Sequence, residues 1–172
     1  YSYDPIARLV GTTDPPTATS PKGVSNTIVW DSLDRRSSLD DPDQNTTGSA
    51  KTPAMTFAYD RATGLLAFQT DAASTRTSFT YDALGRMTGK GLPDGRRIAF
   101  TYDDPVAHGG GLLTRATVTA GGAIQSRYDY VYDPYANASA VSLTLEGERA
   151  PFVTATTYDP PKRMVARTLP DG

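Results

Sequence analysis

The sequence predicts an all-β fold, with antiparallel hairpins joined edge to edge in a curved, extended sheet. Three observations predict it. The stretch Tyr81–Gly95, YDALGRMTGKGLPDG, recurs as Tyr158–Gly172, YDPPKRMVARTLPDG, with the same residue at eight offsets. The segments before and after the first copy alternate apolar and polar residues, as half-buried strands do. Glycine (15) and proline (13) punctuate the whole length, which suits short strands and leaves no helical period of useful length.

Each part of the repeat has a local cause. Thr77-Ser78-Phe79-Thr80-Tyr81 alternates, with both aromatics on one face. Asp82-Ala83-Leu84-Gly85 reads as a tight turn. Aspartate at its first position accepts backbone N–H groups, and glycine at its fourth takes positive φ and forms the bulge of a three-residue hairpin loop. Arg86 and Met87 start the returning strand, Leu92-Pro93-Asp94-Gly95 turns the chain again, and Arg97–Tyr102 alternates as the next strand.

Weaker copies fill the rest. Tyr3-Asp4 heads the first, with Arg8 at the arginine offset and Ala7 in the glycine position. Ile28-Val29-Trp30-Asp31 heads the second, with Trp30 in the tyrosine position, Asp34 in the glycine position, Arg35 at the arginine offset and Pro42 at the proline offset. The third, Met55–Asp60 to Thr63–Leu66, has a turn one residue longer and ends near Asp71 without proline. Residues 12–23 and 40–53 read as exposed loops, and Asp104–Gly111, with three consecutive glycines, as a flexible one. Leu112–Thr119 and Gln125–Tyr132 form a hairpin around Gly121-Gly122, with Tyr128, Tyr130 and Tyr132 on one face. Asp133-Pro134 restarts the unit, and Asn137 is expected at positive φ. Val141–Leu145 and Phe152–Tyr158 form the last hairpin. The final turn carries Pro160-Pro161, so its geometry is expected to differ from that of Asp82–Gly85. The tyrosine-position residues are separated by as few as 21 residues (Tyr81 to Tyr102) and as many as 30 (Tyr102 to Tyr132). Such spread suits a sheet whose turns absorb insertions better than a rigid solenoid.

The pattern YDxxGRMxxxxxPDGxxxxFxYD, carried by residues 81–103, resembles the YD repeat of Rhs-type proteins: bacterial Rhs toxins, the B and C components of Tc insecticidal toxins, and teneurin-like shells. The match is strong over Phe79–Asp103 and Tyr158–Gly172 and traceable over most of the rest. The resemblance implies a segment of a hollow shell that encloses a toxin or effector domain and delivers it. The segment itself would be non-catalytic, secreted or extracellular and bacterial. Its implied partners are the remaining repeats of the same or a partner shell protein, the enclosed toxin segment and a component of a delivery channel. Residues 1–172 read as one YD-repeat region, expected to be a piece of a longer array because the chain opens inside a repeat and closes on a turn.

Composition narrows the alternatives. The chain has 172 residues and a formal charge of −2, so no basic excess points to nucleic acid. No apolar run approaches the length of a membrane helix. Cysteine is absent, which removes disulfides and thiolate chemistry.

No catalytic, cofactor-binding or metal-binding residue is assigned. The one histidine, His108, lies in the glycine-rich loop without a second ligand type beside it. Asp4, Asp60, Asp82, Asp103, Asp133 and Asp159 share one turn context, so capping explains them better than paired catalytic carboxylates in unlike environments. Arg8, Arg35, Arg86 and Arg163 share one offset, and a partner for a repeat carboxylate explains them better than a ladder for an anionic ligand. The tyrosines read as lateral packing between strands rather than a platform for sugars. Gly109-Gly110-Gly111 has no lysine or helix start after it and is not a phosphate loop. Asn45-Thr46-Thr47 and Asn137-Ala138-Ser139 fit glycosylation sequons, which act only in a eukaryotic secretory context. A second functional reading is an extracellular carbohydrate-binding or adhesion module built from exposed Tyr and Arg, with a glycan as its ligand. An enzyme has almost no support.

Overall fold

A computed structural model of the chain describes residues 1–17, 23–41, 54–160 and 162–170. The described residues form strands and turns with no helix. Consecutive strands are hydrogen-bonded neighbours from β1 to β14, so chain order is sheet order. The chain divides into two compact units, residues 1–78 and 79–172.

The first unit holds β1 (Ser2–Tyr3), β2 (Leu9–Thr13), β3 (Ser25–Trp30), β4 (Arg36–Asp40), β5 (Met55–Tyr59), β6 (Leu66–Asp71) and the start of β7 (Arg76–Tyr81). All pair antiparallel. Val29 faces Ser38 across β3 and β4, and Ala58 faces Phe68 across β5 and β6. Alternation sorts the faces. In β3 the side chains of Asn26, Ile28 and Trp30 are half-buried and those of Thr27 and Val29 are exposed; in β5 Met55, Phe57 and Tyr59 are covered and Thr56 and Ala58 are not.

The second unit continues β7 and adds β8 (Met87–Gly91), β9 (Arg97–Tyr102), β10 (Leu113–Ala120), β11 (Ala123–Tyr132), β12 (Ala138–Leu145), β13 (Phe152–Tyr158) and β14 (Met164–Thr168). Ile98, Phe100 and Tyr102 lie on the covered face of β9. Tyr128 and Tyr130 stack with ring centroids 6.4 Å apart. Gly121 and Gly122 both take positive φ, as the two-residue hairpin turn requires.

Neither unit has a packed core of the usual kind. Among the described residues the buried ones are all small, namely Gly11, Ala54, Ala107, Gly109, Thr114 and Thr156, and no large side chain is fully buried. A single sheet has only its two faces and its strand neighbours, so cross-strand pairs carry its stability, each contributing about 0.2–1 kcal/mol.

The turns follow the expected geometry more uniformly than their sequences do. In the Asp82 turn, Gly85 N–H donates to Asp82 O and Asp82 N–H to Arg86 O, both at 3.0 Å, and Gly85 has φ 76°. Ala7 (φ 65°), Asp34 (φ 60°) and Ser74 (φ 62°) occupy the same position without being glycine. The third copy is one residue longer, as expected, with Gly64 N–H reaching Asp60 O at 2.9 Å.

Several expectations need correction. The positive φ assigned to Asn137 belongs to Ala136 (φ 65°), because Asn137 sits one place on, at the arginine offset. The last turn closes through the same hydrogen bonds as the Asp82 turn: Lys162 has φ 68°, its N–H donates to Asp159 O at 2.8 Å, and Asp159 N–H donates to Arg163 O at 2.9 Å. Thr12 and Thr13 complete β2 instead of opening a loop, and β12 begins at Ala138, three residues before Val141. Asp40, where the second loop was expected to open, ends β4. Residues 18–22 and 42–53 of the two expected loops, with Pro42 and the sequon at Asn45, and also Pro161 and the closing Asp171-Gly172, lie outside the described residues.

The 104–111 loop is tied down. Gly109 N–H donates to Asp104 O at 3.0 Å, Leu112 N–H to Gly109 O at 2.8 Å, and Ala107 O accepts the N–H of Tyr132 at 2.9 Å. A Cβ at Gly109 would stand 2.0 Å from Thr114 Cγ2, so the loop lies directly against β10.

Since an L residue in the left-handed region is strained, Ala136→Gly is expected to raise stability by about 0.5–1 kcal/mol, and Gly85→Ala to lower it by about 1–2 kcal/mol. Urea midpoints at unchanged m-value read both.

Candidate functional site

The recurring side chains meet at the YD turns. Aspartate comes first, because it caps the turn that it starts. Asp82 Oδ1 accepts the N–H groups of Leu84 and Arg86, each at 2.9 Å. Asp4 serves Ile6 and Arg8, Asp31 serves Leu33 and Arg35, and Asp133 serves Tyr135 and Asn137 in the same way. The second oxygen is left for a side chain. Asp82 Oδ2 accepts Arg86 Nε at 2.8 Å, and Arg8, Arg35 and Arg163 make the matching bonds to Asp4, Asp31 and Asp159 at 2.6, 2.8 and 2.9 Å.

Held through Nε, the guanidinium projects towards the next repeat. The Arg8 carbon lies 5.8 Å from the centroid of Trp30, that of Arg35 lies 4.3 Å from Tyr59, and that of Arg86 lies 4.4 Å from Tyr102. The Nη groups reach the next turn: Arg8 to Asp34 at 2.5 Å, Arg35 to Gly64 O at 3.3 Å, and Arg86 to both oxygens of Asp103 at 3.0 and 2.6 Å. The aromatic side chain then reaches back. Trp30 Nε1–H donates to Leu9 O at 2.9 Å, Tyr59 O–H to Arg36 O at 2.8 Å and Tyr102 O–H to Met87 O at 2.8 Å. In each case the acceptor belongs to the residue after the arginine. Aspartate, arginine, next aromatic and returning carbonyl therefore close a ring that joins one repeat to the next.

The electrostatics match this geometry. Partial burial would raise Asp82 and Asp4, yet the arginine side chain and backbone donors hold both below the ordinary carboxylate range. Asp31 is lowered first by the Arg35 N–H, and Asp103 by the Arg86 guanidinium and then the Gly111 N–H. Arg86, bonded first to Asp103 and also to Asp82, is pushed up.

Where the arginine is missing, the ring adapts. Asn137 Nδ2 donates to Asp133 Oδ2 at 2.8 Å. Asp60 takes the N–H and hydroxyl of Thr63, both at 2.8 Å. After Asp103 the long loop places Leu112 at the arginine register, so Asp103 does not cap a following turn; its carboxylate takes Arg86 and the Gly111 N–H at 2.7 Å, and Asp104 caps the loop through Val106 N–H. Tyr132 O–H still donates to Leu113 O at 2.6 Å. Asp71 makes a further capped turn, accepting the N–H and hydroxyl of Thr75, which sequence reasoning passed over. Its signal was an aspartate closing one alternating segment, with a hydroxyl residue four places on.

The other candidates stay apart from this cluster. His108 is exposed in its loop at φ 51°. The amide of Asn137 is engaged by Asp133. Among the described residues no three His, Cys, Asp or Glu side chains gather as metal ligands do. Tyr59 and Tyr102 pack laterally between repeats, each with a guanidinium over its ring.

Residues 59–97, which carry the capped turns at Asp60, Asp71 and Asp82, match the family model for the RHS Repeat. The resemblance to the Rhs/YD-repeat family holds. No curated protein sequence matches the chain. Among solved structures, the crystal structure of TcdB2-TccC3-Cdc42 aligns with 99% of this chain at a TM-score of 0.58 and 15% identity, and that of TcdB2-TccC3-TEV with 99% at 0.57 and 16%. The crystal structure of TcdB2-TccC3 aligns over 99% at a TM-score of 0.58 and 15% identity. The all-β Rhs-type fold is thus shared. The chain spans only 10–11% of the length of those chains.

The Tyr102 hydroxyl can be removed without disturbing its ring. Tyr102→Phe is expected to cost about 1 kcal/mol in urea unfolding, and Arg86→Lys, which keeps the charge but loses the fork and the stacking, to lower the midpoint further. The lowered aspartates also set an acid limit. Their stabilisation is full above the unfolded carboxylate pKa of about 3.9 and is lost as pH falls through the lower folded values. Circular dichroism should therefore show a constant sheet signal from neutral pH to about pH 4 and loss below it.

Proposed function

We propose that the chain is a wall segment of an Rhs-type shell, non-catalytic itself, that helps to enclose a toxin or effector segment for delivery. One observation carries the reading: a strand-by-strand sheet, without a fully buried large side chain among its described residues, is tied repeat to repeat by its own turn residues. Such a build extends a surface. Its recurring carboxylates serve turns and arginines, which supports the non-catalytic reading.

The RHS Repeat match over residues 59–97 supports this, as does the fold shared with structures whose titles join TcdB2 to TccC3. On this reading the partners are further repeats of the same or a partner shell protein, the enclosed segment and a delivery channel component. The protein acts as a secreted bacterial virulence factor.

Protease protection tests it. In the polypeptide that carries this chain, a segment outside the repeats is expected to resist protease while the native sheet persists and to become cleavable once acid opens the sheet. Cleavage of every non-repeat segment at full rate in the native protein overturns the enclosure.

A further inference from the structure

The sheet of the second unit has two unlike faces. Residues paired across neighbouring strands point to the same side. Lys90 pairs with Ile98, and Ile98 with Val118. In the next row Phe100 pairs with Ala116, Ala116 with Tyr128, Tyr128 with Leu143, and Leu143 with Phe152. Tyr130 pairs with Val141 beside them. From β8 to β13 this side is apolar. The other side is polar: Thr117, Arg127 and Thr144 pair in one row, and Thr101, Arg115, Asp129 and Ser142 in another. Among the paired residues of the apolar side, Lys90 alone is charged. It stands on β8, at the rim, 5.9 Å from the centroid of the Phe79 ring.

The apolar side chains lean on one another and on nothing above them. All the strands belong to one sheet, and the described residues include no helix to lie across it. Tyr128 remains 40% exposed, Leu145 38% and Phe152 41%. A sheet with one apolar face reaches a stable arrangement when a second layer covers that face.

We propose that the second layer is a second copy of this chain, packed apolar face to apolar face. Three features favour that occupant. An apolar face without a carboxylate is complementary to itself, as a two-fold interface must be. Its one cation lies at the rim, where a two-fold pairing leaves it in water. The area also suffices. Strands β8–β13, at about 4.8 Å spacing, span about 30 Å, and the rows from Val141 to Leu145 cover about 20 Å along the strands. Two copies then bury about 1,200 Å² in all, where the range of specific, stable interfaces begins. Facing sheets of this kind stand about 10 Å apart with their side chains interdigitated. The pairing does not rest on the shell reading: the protease experiment tests enclosure within a larger polypeptide, and the pairing is a property of this chain.

Sedimentation velocity on the purified chain tests it. The chain is expected to pass from monomer to dimer as its concentration rises, with a dissociation constant on the order of micromolar. Tyr128→Asp, which puts a charge at the centre of the face, is expected to weaken the dimer about tenfold or more. Thr144→Asp, on the polar side, leaves it unchanged; circular dichroism checks that each variant keeps its sheet. The chain has no cysteine, so single cysteines give a second reading that barely disturbs the fold. A bis-maleimide of about 10 Å reach is expected to join two copies of Ala116→Cys, on the apolar side of β10, and not two copies of its neighbour Thr117→Cys. A monomer at every concentration, including one whose apolar face takes up a hydrophobic dye and so awaits another partner, would overturn the proposal. So would a dimer that Tyr128→Asp leaves intact, cross-linking through Thr117→Cys as efficient as through Ala116→Cys, or growth beyond the dimer.

Discussion

The bond from an aspartate Oδ2 to the arginine four residues later decides where the guanidinium points. Oδ1 is already committed to the turn's own N–H groups, so only one edge of the carboxylate remains, and it holds Nε. The flat face and at least one Nη group then reach beyond the repeat at Arg8, Arg35 and Arg86. From that placement follow the stacking on the next aromatic, the contact with the next turn and the returned hydrogen bond to backbone. A lysine, with one point charge and no plane, does not make these contacts together.

This arrangement matters because the sheet has little else. A two-layer domain buries apolar side chains between its layers. Here the described residues bury only two glycines, two alanines and two threonines, and exposed apolar groups such as Val153, Val165 and Leu169 remain near the last strands. Stability is distributed along the sheet in small, similar amounts, as in other repeat architectures. Any one link is modest; their sum over successive repeats is what holds the sheet.

Much of this was legible in the residues. The repeat of Tyr81–Gly95, the alternation of Arg97–Tyr102 and the glycines at 121 and 122 each name their structure locally, and each element formed where its pattern stood. The corrections to the turns have one cause. Ala7, Ala136 and Lys162 adopt the left-handed turn position although their side chains disfavour it, because the hydrogen-bonded hairpin on either side over-determines the turn. Propensity at a single residue was therefore a poorer guide than register within the repeat, which would have placed Asn137 correctly. The arginine stacking was hidden for another reason: its partners lie in successive repeats, at separations that vary with each loop.

The hydroxyl of each linking tyrosine ends on a main-chain carbonyl, an acceptor that every amino acid carries. No point mutation can delete it. At Leu113 the link persists although the arginine before it has become Leu112 and the intervening loop has grown. Half of the fastening is thus immune to sequence change. A lineage built this way can replace its charged residues, lengthen its turns and still keep adjoining repeats laced together, which accounts for a shared architecture over 99% of the chain at 15% identity.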